Sequence, residues 1–278
     1  MPDVSSYYRH TAFDYRVVWG GRRNLAVHFG YYDQFADRHL PALDNLNRAL
    51  ADFGDIAPGG RVLDAGCGRG SSVFWLAENR GCAVTGVNIS AHQLNDCRRE
   101  LARRKLPNVE FVCADYCATS FPDAVFDVVW ACESLCHAPH KHDFYREAFR
   151  LLRPGGRLVA AEYLRSNRPF SEEDEALLGA WLHPWAIPDI DTAAEHEQHA
   201  TNAGFSNFMH KDVTANLYIS LRNLHHLSIK WQPWGRWMLR LGIINPLRYD
   251  NLRASIRQFE ALEKGLWKYV FLMAEKPG

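Results

Sequence analysis

The stretch Arg61-Val-Leu-Asp-Ala-Gly-Cys-Gly-Arg-Gly-Ser71 passes from a short apolar run directly into Gly66-x-Gly68-x-Gly70. An apolar run closing on alternating glycines describes a buried strand, a tight turn and the start of a helix. Glycine lets the backbone turn sharply and approach a ligand, while the N–H groups at the helix start face an anionic or polar group. A dinucleotide fingerprint, G-x-G-x-x-G/A, needs its third small residue at position 71, but here it falls one place early, at Gly70. The next strand should also end on an acid for the ribose hydroxyls, yet it reads Thr85-Gly-Val-Asn88. Both departures argue against a nicotinamide cofactor and fit an adenosine-type ligand without a pyrophosphate.

Outward from this loop, short β-branched runs alternate with helical stretches. Strands are predicted at Arg61–Asp64, Cys82–Val87, Val109–Ala114, Phe126–Ala131 and Arg157–Ala161, with helices at Ser71–Asn79, Ala91–Lys105 and Asp143–Leu152. The last helix should stop at Arg153-Pro-Gly-Gly156. Such alternation implies right-handed βαβ crossovers and a doubly wound, Rossmann-like, mostly parallel sheet. Strands near Gly204–Val213 and at Trp267–Ala274 bring the expected count to seven. Two segments lie outside the pattern. Residues 1–50 form an aromatic N-terminal cap carrying Tyr7, Tyr8, Phe13, Tyr15, Trp19, Phe29, Tyr31, Tyr32 and Phe35, and residues 51–278 form the main domain. Within it, residues of about 214–264 form an insertion with eight Lys/Arg against three acids, and with Trp231, Trp234 and Trp237. It reads as a helical hairpin packed on the sheet, or as a lid over an apolar or anionic small molecule.

Composition narrows the classes. The 278 residues are 47% hydrophobic and 23% charged, which suits a packed α/β unit. Lys+Arg and Asp+Glu are 32 each, so the basic excess of a phosphate-reading nucleic-acid binder is missing. The sequence has no apolar run long enough to span a membrane and no secretory signal. Seven cysteines, an odd number and none in CxxC spacing, point to free thiols in the cytoplasm rather than to disulfides or a metal site.

Asp64-x-Gly66-x-Gly68-x-Gly70, Ala114-Asp115 after the third strand and Leu152-Arg-Pro-Gly-Gly156 before the fifth resemble the class I S-adenosylmethionine-dependent methyltransferases. The likeness covers roughly residues 28–164. Gly81-Cys-Ala-Val-Thr-Gly-Val-Asn88 and Glu133-Ser-Leu-Cys-His-Ala-Pro139 are similar to segments of the sterol C-methyltransferases. His28-Phe-Gly-Tyr-Tyr32 looks like the cofactor-covering segment shared by sterol, tocopherol, alkaloid, sugar and cyclopropane-forming enzymes. The resemblance implies that Gly66, Cys67, Gly68 and Gly70 line the methionine part of the cofactor above Asp64. Asn88 and Gln93 would reach the ribose, Asp115 and the N–H of Tyr116 the adenine, and Tyr31 and Tyr32 would close over sulfonium and substrate.

The expected reaction is C-methylation of an alkene in a lipophilic, isoprenoid-like molecule (prenyl, sterol or triterpene). Such an acceptor becomes a carbocation, which calls for aromatic faces and a base. Glu133, His137 and Glu162 are the candidate acid–base groups, at the carboxyl ends of strands where open α/β sheets bind ligands, with Tyr31 beside them. The alternatives for Glu133 and Glu162 are a hydrogen bond to the cofactor loop and a salt bridge to a lid arginine. O- or N-methylation of a phenol, sugar or alkaloid, with His137 as base, is the second reading. A hydride-transfer enzyme, and a binding module or cyclase that keeps the cofactor pocket, are the others. Mg2+ is expected only if the substrate is a diphosphate, and the oligomeric state, a homo-oligomer included, stays open. His196-x-x-His199 reads as a solvated helix face, and Ser171-Glu-Glu-Asp174 as a helix cap with an acidic first turn.

Overall fold

The structure is a computed structural model that describes the backbone of residues 4–18 and 25–278, with side chains for 4–11 and 25–278. Trp19 and the side chains of Phe13 and Tyr15 lie outside the described residues. Helices α1 (Val4–Val18) and α2 (His39–Phe53) precede the sheet. The alternation follows as β1 (Arg61–Ala65), α3 (Ser71–Asn79), β2 (Ala83–Asn88), α4 (Ala91–Arg104), β3 (Val109–Cys113), β4 (Phe126–Cys132), α5 (Lys141–Leu151) and β5 (Leu152–Arg165). Helices α6 (Glu172–Leu182) and α7 (Ala193–Ala203), strand β6 (Ser206–Asp212), helices α8 (Thr214–Arg240) and α9 (Pro246–Glu263), and strand β7 (Trp267–Glu275) complete the chain.

The seven strands lie in the order β3-β2-β1-β4-β5-β7-β6. All neighbours are parallel except β7, which runs antiparallel to both β5 and β6. Helices cover both faces, so strand residues are buried in alternation on two sides. Along β4, Val128 and Trp130 enter one core cluster while Val129 and Ala131 enter the other. The 214–264 stretch is the expected pair of packed helices, α8 and α9.

Two expectations change. The fifth strand is longer at both ends, because Leu152 already pairs with Phe126 and β7 pairs with every residue from Arg157 to Arg165. Glu162 therefore sits inside a strand and not at its end. His196 is not on a solvated face: it is buried, and Tyr145 Oη lies 2.9 Å from its Nδ1. The α6 cap is as read, with Ser171 Oγ accepting from the Asp174 N–H.

Candidate active site

The strand order reverses between β1 and β4, so the loops leaving their carboxyl ends diverge and open a crevice. The glycine loop leaves β1 there. The Gly66 and Cys67 N–H groups both donate to Val87 O at 2.9 Å, which ties the turn to the next strand. Asn88 Nδ2 donates to Gly68 O at 3.1 Å and to Gln93 Oε1 at 2.9 Å, and its Oδ1 accepts from the Ser90 N–H.

A cavity with about 270 Å³ of empty space lies against this loop. Asp64, Gly66 and Cys67 form its floor, Ser71 and Ser72 bring the start of α3, and Val27 and His28 close it from the N-terminal segment. Two buried acceptors on its wall have no hydrogen-bond partner among the described residues: Asp64 Oδ2 and His28 Nε2. His28 Nδ1 lies 3.0 Å from the carbonyl oxygen of Phe29, which can only accept, so Nδ1 carries the proton and Nε2 the lone pair. Burial raises the Asp64 carboxyl to about 8 and lowers the His28 imidazole to about 4, leaving both neutral at pH 7. Two unsatisfied acceptors beside a helix N-terminus fit an amino acid end: an ammonium for Asp64 and His28, a carboxylate for the start of α3.

The consequence is a proton balance. A cation placed beside Asp64 favours its ionised form, so at pH 7 binding of the cofactor that the resemblance implies, S-adenosylmethionine, should release roughly one proton from that carboxyl. Calorimetry in buffers of different ionisation enthalpy reads this directly. The dependence should vanish in Asp64→Asn, and its absence from the parent protein would remove Asp64 from the ligand's surroundings.

The second cavity holds about 360 Å³ and is lined by Tyr7, Tyr8, Val27, Phe29, Glu133, Cys136, His137, Tyr163, Trp185 and Ile187. Glu133 follows β4 directly with φ +51, a conformation uncommon for a residue with a side chain. Three donors hold its carboxylate: the Phe29 N–H at 2.9 Å and Tyr269 Oη at 2.8 Å on Oε1, and Tyr163 Oη on Oε2. Burial nevertheless outweighs these bonds and lifts its pKa to about 7. His137 ends a 3₁₀ turn over Leu135–His137. Its Nδ1 lies 3.0 Å from Ala186 O and must donate, so Nε2 accepts from Tyr8 Oη at 3.0 Å. Burial lowers this imidazole to about 4.

The other expected site residues lie outside the lining of these two cavities. Glu162 Oε2 accepts from the Cys136 N–H at 2.6 Å and Oε1 from the Tyr163 N–H at 3.3 Å, so it grips the backbone of the His137 turn and not a lid arginine. Tyr31 stacks on Phe271, and the Tyr32 backbone is bonded to Asn216 of α8. Neither ring lines the two cavities, because Val27, His28 and Phe29 occupy that wall. Asn88 and Gln93 direct their polar atoms to each other and to the loop rather than into the 270 Å³ cavity. Asp115 is exposed and accepts from the Cys117 N–H, while Tyr116 Oη donates to Ser134 O. Gly68 and Gly70 shape the turn without lining the cavity. The residues that sequence reasoning passed over are His28, Tyr8, Tyr163 and Tyr269. The last two face each other across β5 and β7, a register that the separate strands do not announce.

This geometry can be set beside known proteins. Residues 63–160 match a family described as a methyltransferase domain. Over 200 residues, 71% of each chain, the sequence is 37% identical to 27-O-demethylrifamycin SV methyltransferase of Amycolatopsis mediterranei (strain S699). The chain belongs to the class I S-adenosylmethionine-dependent methyltransferases. The methyltransferase is also 28% identical to botryococcene C-methyltransferase of Botryococcus braunii, over 99% of its own length and 76% of that relative's. Its fold is that of the [4+2]-cyclase SpnF, with a TM-score of 0.78 at 23% identity, covering 99% of this chain and 97% of that one. No helix among the described residues is long and apolar enough to cross a membrane.

Proposed function

We propose that the methyltransferase adds a methyl group to a carbon–carbon double bond of an isoprenoid-like molecule held in the 360 Å³ cavity. One observation carries this reading: a buried carboxylate with pKa near 7, Glu133, set among the aromatic rings of Tyr7, Tyr8, Phe29, Tyr163 and Trp185. The similarity to botryococcene C-methyltransferase supports it. S-adenosylmethionine in the adjoining cavity supplies an electrophilic methyl group on a positively charged sulfur. Val27 lines both cavities, so the two ligands would meet across it.

The protein's residues then have three tasks. The walls exclude water, which would otherwise capture a cation. Methylation of an alkene leaves positive charge on the neighbouring carbon, and the ring faces of Phe29, Tyr8 and Tyr163 stabilise it in a dry site. Glu133 Oε2, bonded to one phenol, keeps a lone pair for the proton that must leave; accepting it makes Glu133 a neutral acid and restores a double bond. Glu162 acts by positioning, holding the turn that carries His137. Tyr31 and Tyr32 pack the cap against α2, α8 and β7 rather than reacting. In this reading residues 1–50 and 214–264 are the cap and lid over the acceptor. The protein works in the cytoplasm, in keeping with seven unbridged cysteines, and Mg2+ enters only with a diphosphate acceptor.

Oxygen methylation is the second reading, favoured by the Tyr8–His137 bond in the same cavity and by the rifamycin O-methylating relative. Trideuteromethyl cofactor offered with prenyl diphosphates, sterols, triterpenes, phenols and an amino sugar separates the two by mass spectrometry. Label on an isoprenoid carbon is expected. Label on oxygen or nitrogen would transfer the base role to His137 and retire the carbocation.

A further inference from the structure

Hairpin α8–α9 leaves a feature that catalysis does not use. Its base is part of the enzyme: Leu217, Leu221 and Ser228 of α8 are buried, and Ser220 Oγ accepts from the Gly30 N–H at 3.1 Å. Its far end carries an exposed apolar face. Trp231, Trp234, Trp237, Leu241 and Ile243 are 50–60% exposed, and the rings of Trp234 and Trp237 stand edge to face at 6.4 Å. Trp234, Trp237 and Leu241 recur at spacings of three and four, which puts them on one helix face. An apolar patch of this kind on a protein surface marks an interaction site.

Charge says which partner it suits. From Val213 to Tyr249 the sequence has five Lys/Arg and no Asp or Glu, within a protein whose net charge is zero. Lys230, Arg236 and Arg240 are exposed among the tryptophans. A second copy of this chain would present the same positive charge to this face and be repelled. Tryptophan beside Lys and Arg, on a helix that cannot span a bilayer, is the composition of an interfacial anchor. The indole seats at the headgroup level and the cations meet anionic headgroups.

We propose that the outer end of the α8–α9 hairpin docks the enzyme on an anionic phospholipid surface. The same hairpin reaches the acceptor cavity through α9, close to its tip: Tyr7 Oη donates to Asn251 Oδ1 at 2.8 Å, and Trp185 Nε1 donates to Asn251 O at 3.4 Å. Tyr7 and Trp185 both line that cavity. Docking therefore sets its walls beside the bilayer, where a lipophilic molecule dissolves. The docking itself does not depend on which acceptor is methylated.

The test uses the full-length protein and needs no substrate. Co-sedimentation is measured with vesicles of phosphatidylcholine alone and of phosphatidylcholine with phosphatidylglycerol. Binding to the anionic vesicles is expected, with a blue shift of tryptophan emission and release at high salt. Trp234→Ala/Trp237→Ala and Arg236→Glu/Arg240→Glu should each weaken binding by about tenfold or more, at unchanged affinity for S-adenosylhomocysteine. Arg99→Glu/Arg103→Glu, on exposed positions of α4, should leave it unchanged and so excludes a general charge effect. Failure to bind anionic vesicles, or equal loss in all three variants, overturns the proposal. So does a lipid-free dimer, seen by light scattering, that the tryptophan variant dissolves, since the face would then belong to a second copy.

Discussion

Glu133→Gln is expected to lower kcat by about 10²–10⁴-fold, the range that a positioned general base contributes. The change keeps the shape of the side chain. Its carbonyl can still accept from the Phe29 N–H and Tyr269 Oη, while the amide that replaces Oε2 cannot accept from Tyr163 Oη. The phenol must turn, at a cost of about 1–3 kcal/mol in stability, whereas cofactor affinity should hold because Glu133 does not line the 270 Å³ cavity. The pH profile supplies the sign. The base is the ionised form, whose population grows as pH rises through about 7, so kcat of the parent enzyme should rise across that range and level off above it. The variant should lack this step. A parent profile flat between pH 6 and 8, or a variant with unchanged turnover, would reassign the base.

The second large effect is Gly66→Ala. At φ +83, an added Cβ would sit 2.5 Å from the Cβ of Ser134. Ser134 cannot move freely, since its Oγ donates to Ala65 O at 2.5 Å and its own carbonyl accepts from Tyr116 Oη at 2.7 Å. Backbone strain of about 1–2 kcal/mol and overpacking of about 1–3 kcal/mol should together destabilise the protein by about 3 kcal/mol and weaken cofactor binding. Gly59→Ala separates the two terms, because it has φ +78 with nothing within 4 Å of the added Cβ. Denaturant unfolding should show it losing about 1 kcal/mol. Equal losses in both variants would mean that Ser134 yields.

The fold was legible in the sequence because parallel strands buried on both faces must be apolar along their length, and glycine must stand where the backbone turns. Helix α3 and the glycine loop fall where those rules put them. The cofactor side was legible in part: Asp64, Gly66 and Cys67 do floor a cavity, but Asn88 and Gln93 turn inward because a buried amide takes the nearest partners. The catalytic side was less so. Glu133 and His137 are visible because they follow a strand that must end at the crevice. Their partners Tyr269, Tyr163 and Tyr8 come from β7, β5 and α1, and only tertiary packing brings such distant positions together. For Tyr31 and Tyr32 the resemblance implied a place over sulfonium and substrate, and sequence alone does not say against what a buried ring packs. They pack on Phe271 and α8, while the smaller Val27 and the imidazole of His28 line the cavities.

The segment from Leu25 to Phe29 is a single stretch of chain walling two chambers at once, with Val27 in both. One side chain thus belongs to two walls, and a change of volume at Val27 would be felt in both chambers at once. Tuning the fit for one occupant by substitution there would retune the fit for the other, so the two specificities could not drift independently through this position.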